Sequence, residues 1–378
     1  MARPWATSRS RDVAGIWRKV AAALFVLVLV LLPVAITAPY YLHLLITVMV
    51  NALLAMTFIL TLRTGLINVA MAAFWGIGAY ATALLETKAG MSFWLALPIA
   101  TVGGLIVALL LGFVVVRFSG FGFVILTLVI ASIVPVFFGT FQYFGRYVGI
   151  INIPRPSAIP LPGGGQIEFV SKVPHYYLIL GMGLVCVVIL WAFYASSIGR
   201  AWRAIGLSSQ LAQSVAINPF RYRLVAWTLS STIAVIVGSF YAVYSQSVVP
   251  GTFGPFKSIY IQIYGILGGM GFVIMGPIVG AFILTLIPEA LRFLKGNEPI
   301  FTGALIILIV IFLPQGLLGW VASLRENQTL GRWYCRVFPG KAGQGQIDGV
   351  GEPPGVEERP FAEDPPDPGQ GVSVGEEA

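Results

Sequence analysis

Charge is what this chain has least of. Asp, Glu, Lys and Arg make up 10% of its 378 residues, where a soluble domain carries roughly 25%. With 57% of its residues hydrophobic, the chain cannot hide its apolar surface from water, and a soluble fold is excluded. Cysteine and histidine are also scarce, at two each. Cys186 and Cys335 share no metal-binding or redox spacing. His43 and His175 stand far apart near expected helix ends. That inventory assembles neither a zinc site nor a catalytic triad, so no metal or other cofactor is expected on the chain and a membrane enzyme is the weakest functional class. No G-x-x-x-x-G-K-S/T loop occurs, which removes nucleotide hydrolysis by the P-loop route. The expected helix centres are nearly free of ionisable residues, which argues against a proton-driven pump or symporter. No helix carries the regular arginines of a voltage sensor. A passive channel, or a subunit powered by another protein, remains.

What the chain does have is repeated apolar length, with a mean hydropathy of +0.88. Runs cover 20–37, 42–62, 66–85, 93–116, 121–140, 176–195, 224–245, 258–288 and 300–319, each near or above the roughly 20 residues that cross a bilayer as a helix. They form a membrane domain over 20–320. Before it stands a basic arm, 1–19, with Arg3, Arg9, Arg11, Arg18 and Lys19. A short flank, 321–338, follows it, and then an acidic Pro/Gly-rich tail, 339–378, with too little apolar surface to offset the entropy of ordering. The formal charge of +8 therefore understates the basicity of the membrane part. That excess reads as an orienting signal against lipid, not as a nucleic-acid footprint.

Lys and Arg concentrate at cytoplasmic helix ends. The bias places the N-terminal arm, Arg63, Arg117 and the stretch 196–223 inside, with 141–175 outside. The run 258–288 has 31 residues, about 46 Å of helix, too long for one crossing and short for two. Gly265, Gly268, Gly269, Gly271 and Gly276-Pro277 interrupt it. A broken hairpin of one short and one full helix resolves the length and puts 289–298 outside. The expected fold is an all-α polytopic membrane protein of about ten passes, including broken or re-entrant helices, with both termini cytoplasmic.

A Gly-rich, small-residue segment after 42–62, at 64–80, has a counterpart after 224–245, at 251–271. Broken segments at matching places in halves of opposite polarity indicate an inverted repeat around a central route. The plainer alternative is that these glycines let helices pack closely. If the segments do border a route, its expected lining includes Asn51, Asn68, Met71, Phe74, Gly76, Gln262, Gly268 and Gly269. Uncharged polar groups of this kind suit a weakly polar or zwitterionic solute better than a bare ion.

The stretch Gly199–Arg223, GRAWRAIGLSSQLAQSVAINPFRYR, predicts a short amphipathic helix along the membrane surface, with Ser208 or Ser209 as cap. It is either a lipid-held anchor or a docking element for a cytoplasmic partner. Together with ILGGMGFVIMGPIVGAF, IFLPQGLLG and GLINVAMAAFWGIGAY (Gly65–Tyr80), it resembles, over about 40–320, permease subunits of the branched-chain amino acid ABC transporter family, the LivM-like group. The resemblance implies a type II ABC importer-like architecture in the bacterial inner membrane. It also implies a second homologous permease, two cytoplasmic ATPase subunits holding ATP-Mg, and an extracytoplasmic solute-binding protein. Carried over by motif, Gly199, Arg200, Arg203, Ala204, Ile205, Ala212, Ala216 and Asn218 form the ATPase-coupling region. Two departures stand out. Ala70 and Met71 replace the family's usual Gly followed by His or Gln, and Gly206–Gln210 lacks the usual acid. The expected function is inward transport of a branched-chain or other apolar amino acid, with urea or short amides as alternative cargo and an ATP-independent facilitator as the alternative mechanism.

Overall fold

A computed structural model describes residues 23–34, 38–160, 166–291 and parts of 301–320. The basic arm, the flank, the acidic tail and half of the 300–319 run lie outside the described residues. Helices dominate: α1 (Ala23–Val34), α2 (Pro39–Leu62), α3 (Met71–Thr87), α4 (Phe93–Val115), α5 (Phe121–Thr140), α6 (Lys172–Ala195), α7 (Ser197–Leu207), α8 (Ser209–Ser214), α9 (Pro219–Ser245), α10 (Pro255–Gly269) and α11 (Met275–Ala290). Among the described residues, α2, α4, α5, α6 and α9 are long and apolar enough to cross a membrane, while α1 and α11 are shorter.

Local chemistry sets the helix boundaries. Pro39 and Pro219 start α2 and α9, positions where the missing N–H costs nothing. The Asn218 side chain accepts from the Phe220 N–H at 3.1 Å, and Ser208 does the same for Leu211 at 3.3 Å. Gln246 ends α9 in the left-handed region at φ 56°.

α2 and α9 form the centre, with 78% and 67% of their most apolar windows buried. Those of α4, α5 and α6 are only 28%, 28% and 22% buried, so these helices ring the outside and turn side chains such as Leu110, Ile133 and Trp191 outward, the pattern of a lipid-facing surface. Among the described helices the most extensive seam joins α3 to α9. A Cβ on Gly78 would lie 2.1 Å from the Val235 carbonyl oxygen, and one on Gly238 2.0 Å from that of Trp75. Backbone therefore rests on backbone at both points, the close approach that small residues permit between membrane helices.

The broken segments exist, with boundaries other than those expected. Residues 63–70 are non-helical and α3 then runs unbroken from Met71 through Gly76 and Gly78. In the second half the interruption is 246–254, followed by continuous α10 and a turn at 270–274. Glycines inside α3 and α10 are packing positions: a Cβ on Gly268 would meet the Gly276 carbonyl oxygen at 1.7 Å. At 15 and 16 residues, or about 22–24 Å, both arms of this hairpin are short, where one full helix was expected.

The 141–175 loop caps one end of the bundle. Its strand β1 (Ile150–Ile151) pairs antiparallel with β4 (Ser247–Val248), and β2 (Ile159–Pro160) pairs with β3 (Gln166–Ile167). The same end holds His43, whose ring bonds Tyr244 at 2.5 Å. The other end holds Arg63, which donates to the Met270 and Gly271 carbonyls at 2.8 and 2.6 Å. Arg223 joins it there, donating to the Thr64 carbonyl at 3.3 Å. The α10–α11 turn thus lies at the Arg63 end, as a hairpin entering from the His43 end requires.

Candidate functional site

A cavity of about 620 Å³ opens among α2, α3, α6, α9, the start of α10 and the 141–175 loop. Its rim carries the exposed side chains His43 and Arg155. Trp75, Asn51 and Lys257 line it more deeply. Asn51 stands halfway along α2, so this part of the cavity reaches the middle of the bundle. There Lys257 donates to Asn51 Oδ1 at 3.3 Å, while Asn51 Nδ2 donates to Thr285 Oγ1 on α11 at 3.1 Å. The Lys257 ammonium also stands 5.7 Å from the Trp75 ring centre and 5.8 Å from that of Tyr264, close enough for cation–π attraction.

The two histidines, distant in sequence, meet around one ring. His43 stacks on Tyr244 at 5.8 Å and His175 meets the same ring edge-on at 5.6 Å. Among the described residues no group of three or more His, Cys, Asp or Glu could hold a metal ion.

Below the cavity, the break between α2 and α3 is held by side chains that replace the missing helical bonds. The Val69 N–H donates to Thr127 Oγ1 at 3.2 Å, the Ala70 N–H to Asn68 Oδ1 at 2.8 Å, and the Ala72 N–H to Ser258 Oγ on α10 at 3.1 Å. Asn68, Thr127 and Ser258 are fully buried. Gln262 reaches back to the Asn68 carbonyl at 3.4 Å, and Thr57 donates to the Met71 sulfur at 3.0 Å. The 63–70 break and the start of α3 are therefore tied to α10 inside the bundle. The Arg63 bonds to Met270 and Gly271 close the end beneath them.

Of the expected route residues, Asn51 lines the cavity. Asn68, Met71 and Gln262 gather at the break below it. Phe74 is core, edge-on to Trp227 at 5.4 Å, and Gly76 makes room for Phe253, whose Cγ lies 2.8 Å from where its Cβ would stand. Gly268 and Gly269 belong to the α10–α11 contact near Arg63. Lys257, Trp75, His43 and His175 were missed. Lys257 stands one residue before the 258–288 run, where a charge draws no notice. A signal was present all the same: it is the only charged residue between Arg223 and Glu289.

The 196–223 stretch contains two helices where one was expected, because Ser208 adopts an extended conformation and starts α8 afresh. α7 buries Gly199, Ala201, Trp202 and Ile205, and the Trp202 indole donates to the Tyr222 carbonyl at 2.8 Å. Arg203 covers the Tyr194 ring at 5.2 Å, while Arg200 is exposed and Ala204 half-buried. Asn218 caps α9, and Ala216 turns the chain at φ 61°. Ala212, near the middle of the expected docking helix, is buried at 2% exposure inside this chain. The outward face instead carries Leu207, Leu211 and Val215, which are 66%, 72% and 67% exposed.

The profile of the family described as branched-chain amino acid transport system / permease component matches residues 40–314. The high-affinity branched-chain amino acid transport system permease protein LivM of Escherichia coli K12 is 30% identical over 273 residues, 68% of this chain and 64% of LivM. Its Salmonella typhimurium counterpart is 29% identical with the same coverage. The autoinducer 2 import system permease protein LsrC of Escherichia coli O157:H7 is 30% identical over 300 residues, 74% of this chain and 80% of LsrC. The chain thus spans a little under two thirds of LivM's length. No solved structure matches it significantly.

Proposed function

The chain belongs to the branched-chain amino acid transport system permease family, and we propose that it is the membrane-spanning subunit of an ABC importer for a small solute, first a branched-chain or other apolar amino acid. The observation that carries this reading is the one-sided cavity. It has room for an amino acid and is rimmed by exposed residues at the His43 end. Toward the Arg63 end it is closed by the 63–70 break bonded to α10 and by Arg63 on the 270–274 turn. This is the form of a route caught open to one side, as alternating access demands.

On this reading the His43 end is extracytoplasmic and receives solute from a binding protein. The Arg63 end is cytoplasmic, both termini lie on that side, and the chain sits multi-pass in the bacterial inner membrane beside a second permease. The segments α2–break–α3 and α9–break–α10 are the matching parts of an inverted repeat within about ten passes. ATP is hydrolysed on two partner ATPases. Their contact is the α7–α8 pair, through the stripe Leu207, Leu211 and Val215, spaced four apart and turned away from the chain. Urea or short amides are the alternative cargo, and autoinducer 2, named for LsrC, widens the range of solutes among relatives. A facilitator working without ATP is the rival mechanism.

Leu211→Asp separates the two mechanisms. Because Leu211 is exposed, the substitution leaves insertion and folding intact. A charge buried without a partner at an ATPase contact is costly. The ATPases are expected to stop co-purifying, and ATP-driven uptake in reconstituted vesicles to fall at least about tenfold. Uptake by this chain alone, indifferent to ATP and to the substitution, would establish the facilitator instead.

A further inference from the structure

We infer that the Lys257 ammonium and the Trp75 indole N–H form a carboxylate-binding station at mid-depth in the cavity, so that the transported solute carries a free carboxylate. This deepens the importer reading and rests on it for the word "transported"; the binding station itself rests on geometry alone.

Three observations converge. The first is the charge of the lining. Arg155, Lys172 and Lys257 face the cavity together with His43 and His175, and no Asp or Glu is among the described lining residues. Glu289, on α11, acts on His43 at the rim. Low-dielectric walls focus such a field on whatever enters.

The second observation is the incomplete coordination of Lys257. An ammonium offers three donors, and the described structure gives this one a single oxygen, Asn51 Oδ1 at 3.3 Å, with two aromatic faces beyond it. A cation held halfway along membrane helices is costly unless a function retains it. A carboxylate would supply the charge-assisted partner that is missing.

The third is Trp75. It lines the same cavity and is 2% exposed, yet its indole N–H has no acceptor among the described residues. A buried donor is normally paired. Ammonium and indole together present two donors of the kind a carboxylate accepts, and a neutral amide cannot replace the ionic half of that contact. Leucine fits such a station, whereas leucinamide and urea do not.

The test uses the full chain in membranes with Cys186→Ser and Cys335→Ser, and Thr47→Cys as reporter on the cavity wall. An anionic methanethiosulfonate reagent is expected to label the reporter about tenfold faster than a cationic one. That preference should vanish in Lys257→Met and persist in Lys257→Arg. Leucine, and not leucinamide, should slow the labelling. Trp75→Phe, which keeps a ring and removes only the N–H, should weaken protection by leucine several-fold. A preference unchanged by Lys257→Met, or equal protection by leucinamide, would overturn the station. A second arm measures ATP-driven leucine uptake by the complete importer, where Lys257→Met should lower the rate at subsaturating leucine about tenfold. Normal uptake by that variant would also overturn the inference. If the wild type shows no ATP-driven uptake, the importer reading fails, while the labelling arm still decides the station.

Discussion

Gly238→Ala adds one methyl group where the fold has no room for it. A Cβ at position 238 would stand 2.0 Å from the Trp75 carbonyl oxygen and 2.9 Å from the Ala79 nitrogen. Both are backbone atoms of α3, so no side-chain rotation can relieve the clash. Restoring an ordinary contact of about 3.5 Å requires α3 and α9 to separate by roughly 1.5 Å at that point. A gap of 0.5–1 Å already forfeits about a quarter to a half of the dispersion energy of each contact it opens, and this seam is the most extensive between any two helices here. The shift would also strain its reciprocal point, where Gly78 rests on Val235, and would disturb Trp75 against Tyr241 and Phe253, now at 4.7 and 4.8 Å. Overpacking of this kind costs about 1–3 kcal/mol.

The assay is thermal unfolding of the detergent-purified chain, read as the temperature at which the monodisperse peak is lost. Unfolding of a membrane protein is commonly irreversible, so scan rate is fixed across variants. The expected shift is downward by on the order of 3–10 °C. Gly103→Ala on α4 is the control, since a Cβ there meets nothing within 4 Å, and it should match the wild type. If Gly238→Ala were as stable as Gly103→Ala, the backbone contact between α3 and α9 would not exist as described. Gly78→Ala should then also be neutral.

Two further outcomes follow from the same geometry. In a background without Cys186 and Cys335, a membrane-impermeant thiol reagent added outside should label Thr252→Cys at the His43 end and spare Leu211→Cys at the other; the reverse pattern would invert the topology. Ser258→Ala should leave the buried Ala72 N–H without its acceptor and cost about 1–3 kcal/mol, seen as a lowered unfolding temperature, whereas Ser132→Ala, on an exposed face of α5, should change nothing.

How much of this was readable from the residues divides by mechanism. The long helices were legible because lipid imposes the same requirement at every point of a crossing. The run 121–140 coincides with α5, and 224–245 lies within α9. The breaks were legible in number and neighbourhood but not in place. Gly76, Gly78, Gly265 and Gly268 looked like interruptions and are helix interiors. A glycine in a membrane segment either ends a helix or admits a neighbouring backbone, and which it does depends on what stands opposite. The true interruptions fall where polar side chains take over the backbone hydrogen bonds, as Asn68, Thr127 and Ser258 do around 63–70. Those three come from separate elements, so no window along the chain contains the pattern.

The cavity follows the same logic one step further. Its walls come from α2, α3, α6, α9, the start of α10 and the 141–175 loop, and only the closed fold brings His43 and His175 to one tyrosine. Lys257 is the exception, because its isolation is a property of the sequence itself. A solitary charge between Arg223 and Glu289, one residue outside the apolar run 258–288, looks like a helix flank and not like membrane interior. The dip of the chain through 246–254 places it otherwise. After α9 reaches the His43 end, the chain descends beside α3, setting Phe253 against Gly76, and α10 begins only at mid-depth. A lysine two residues into that helix therefore belongs to the interior of the route. Position along a helix places a charge in depth only when the helix spans, and α10, at 15 residues, does not.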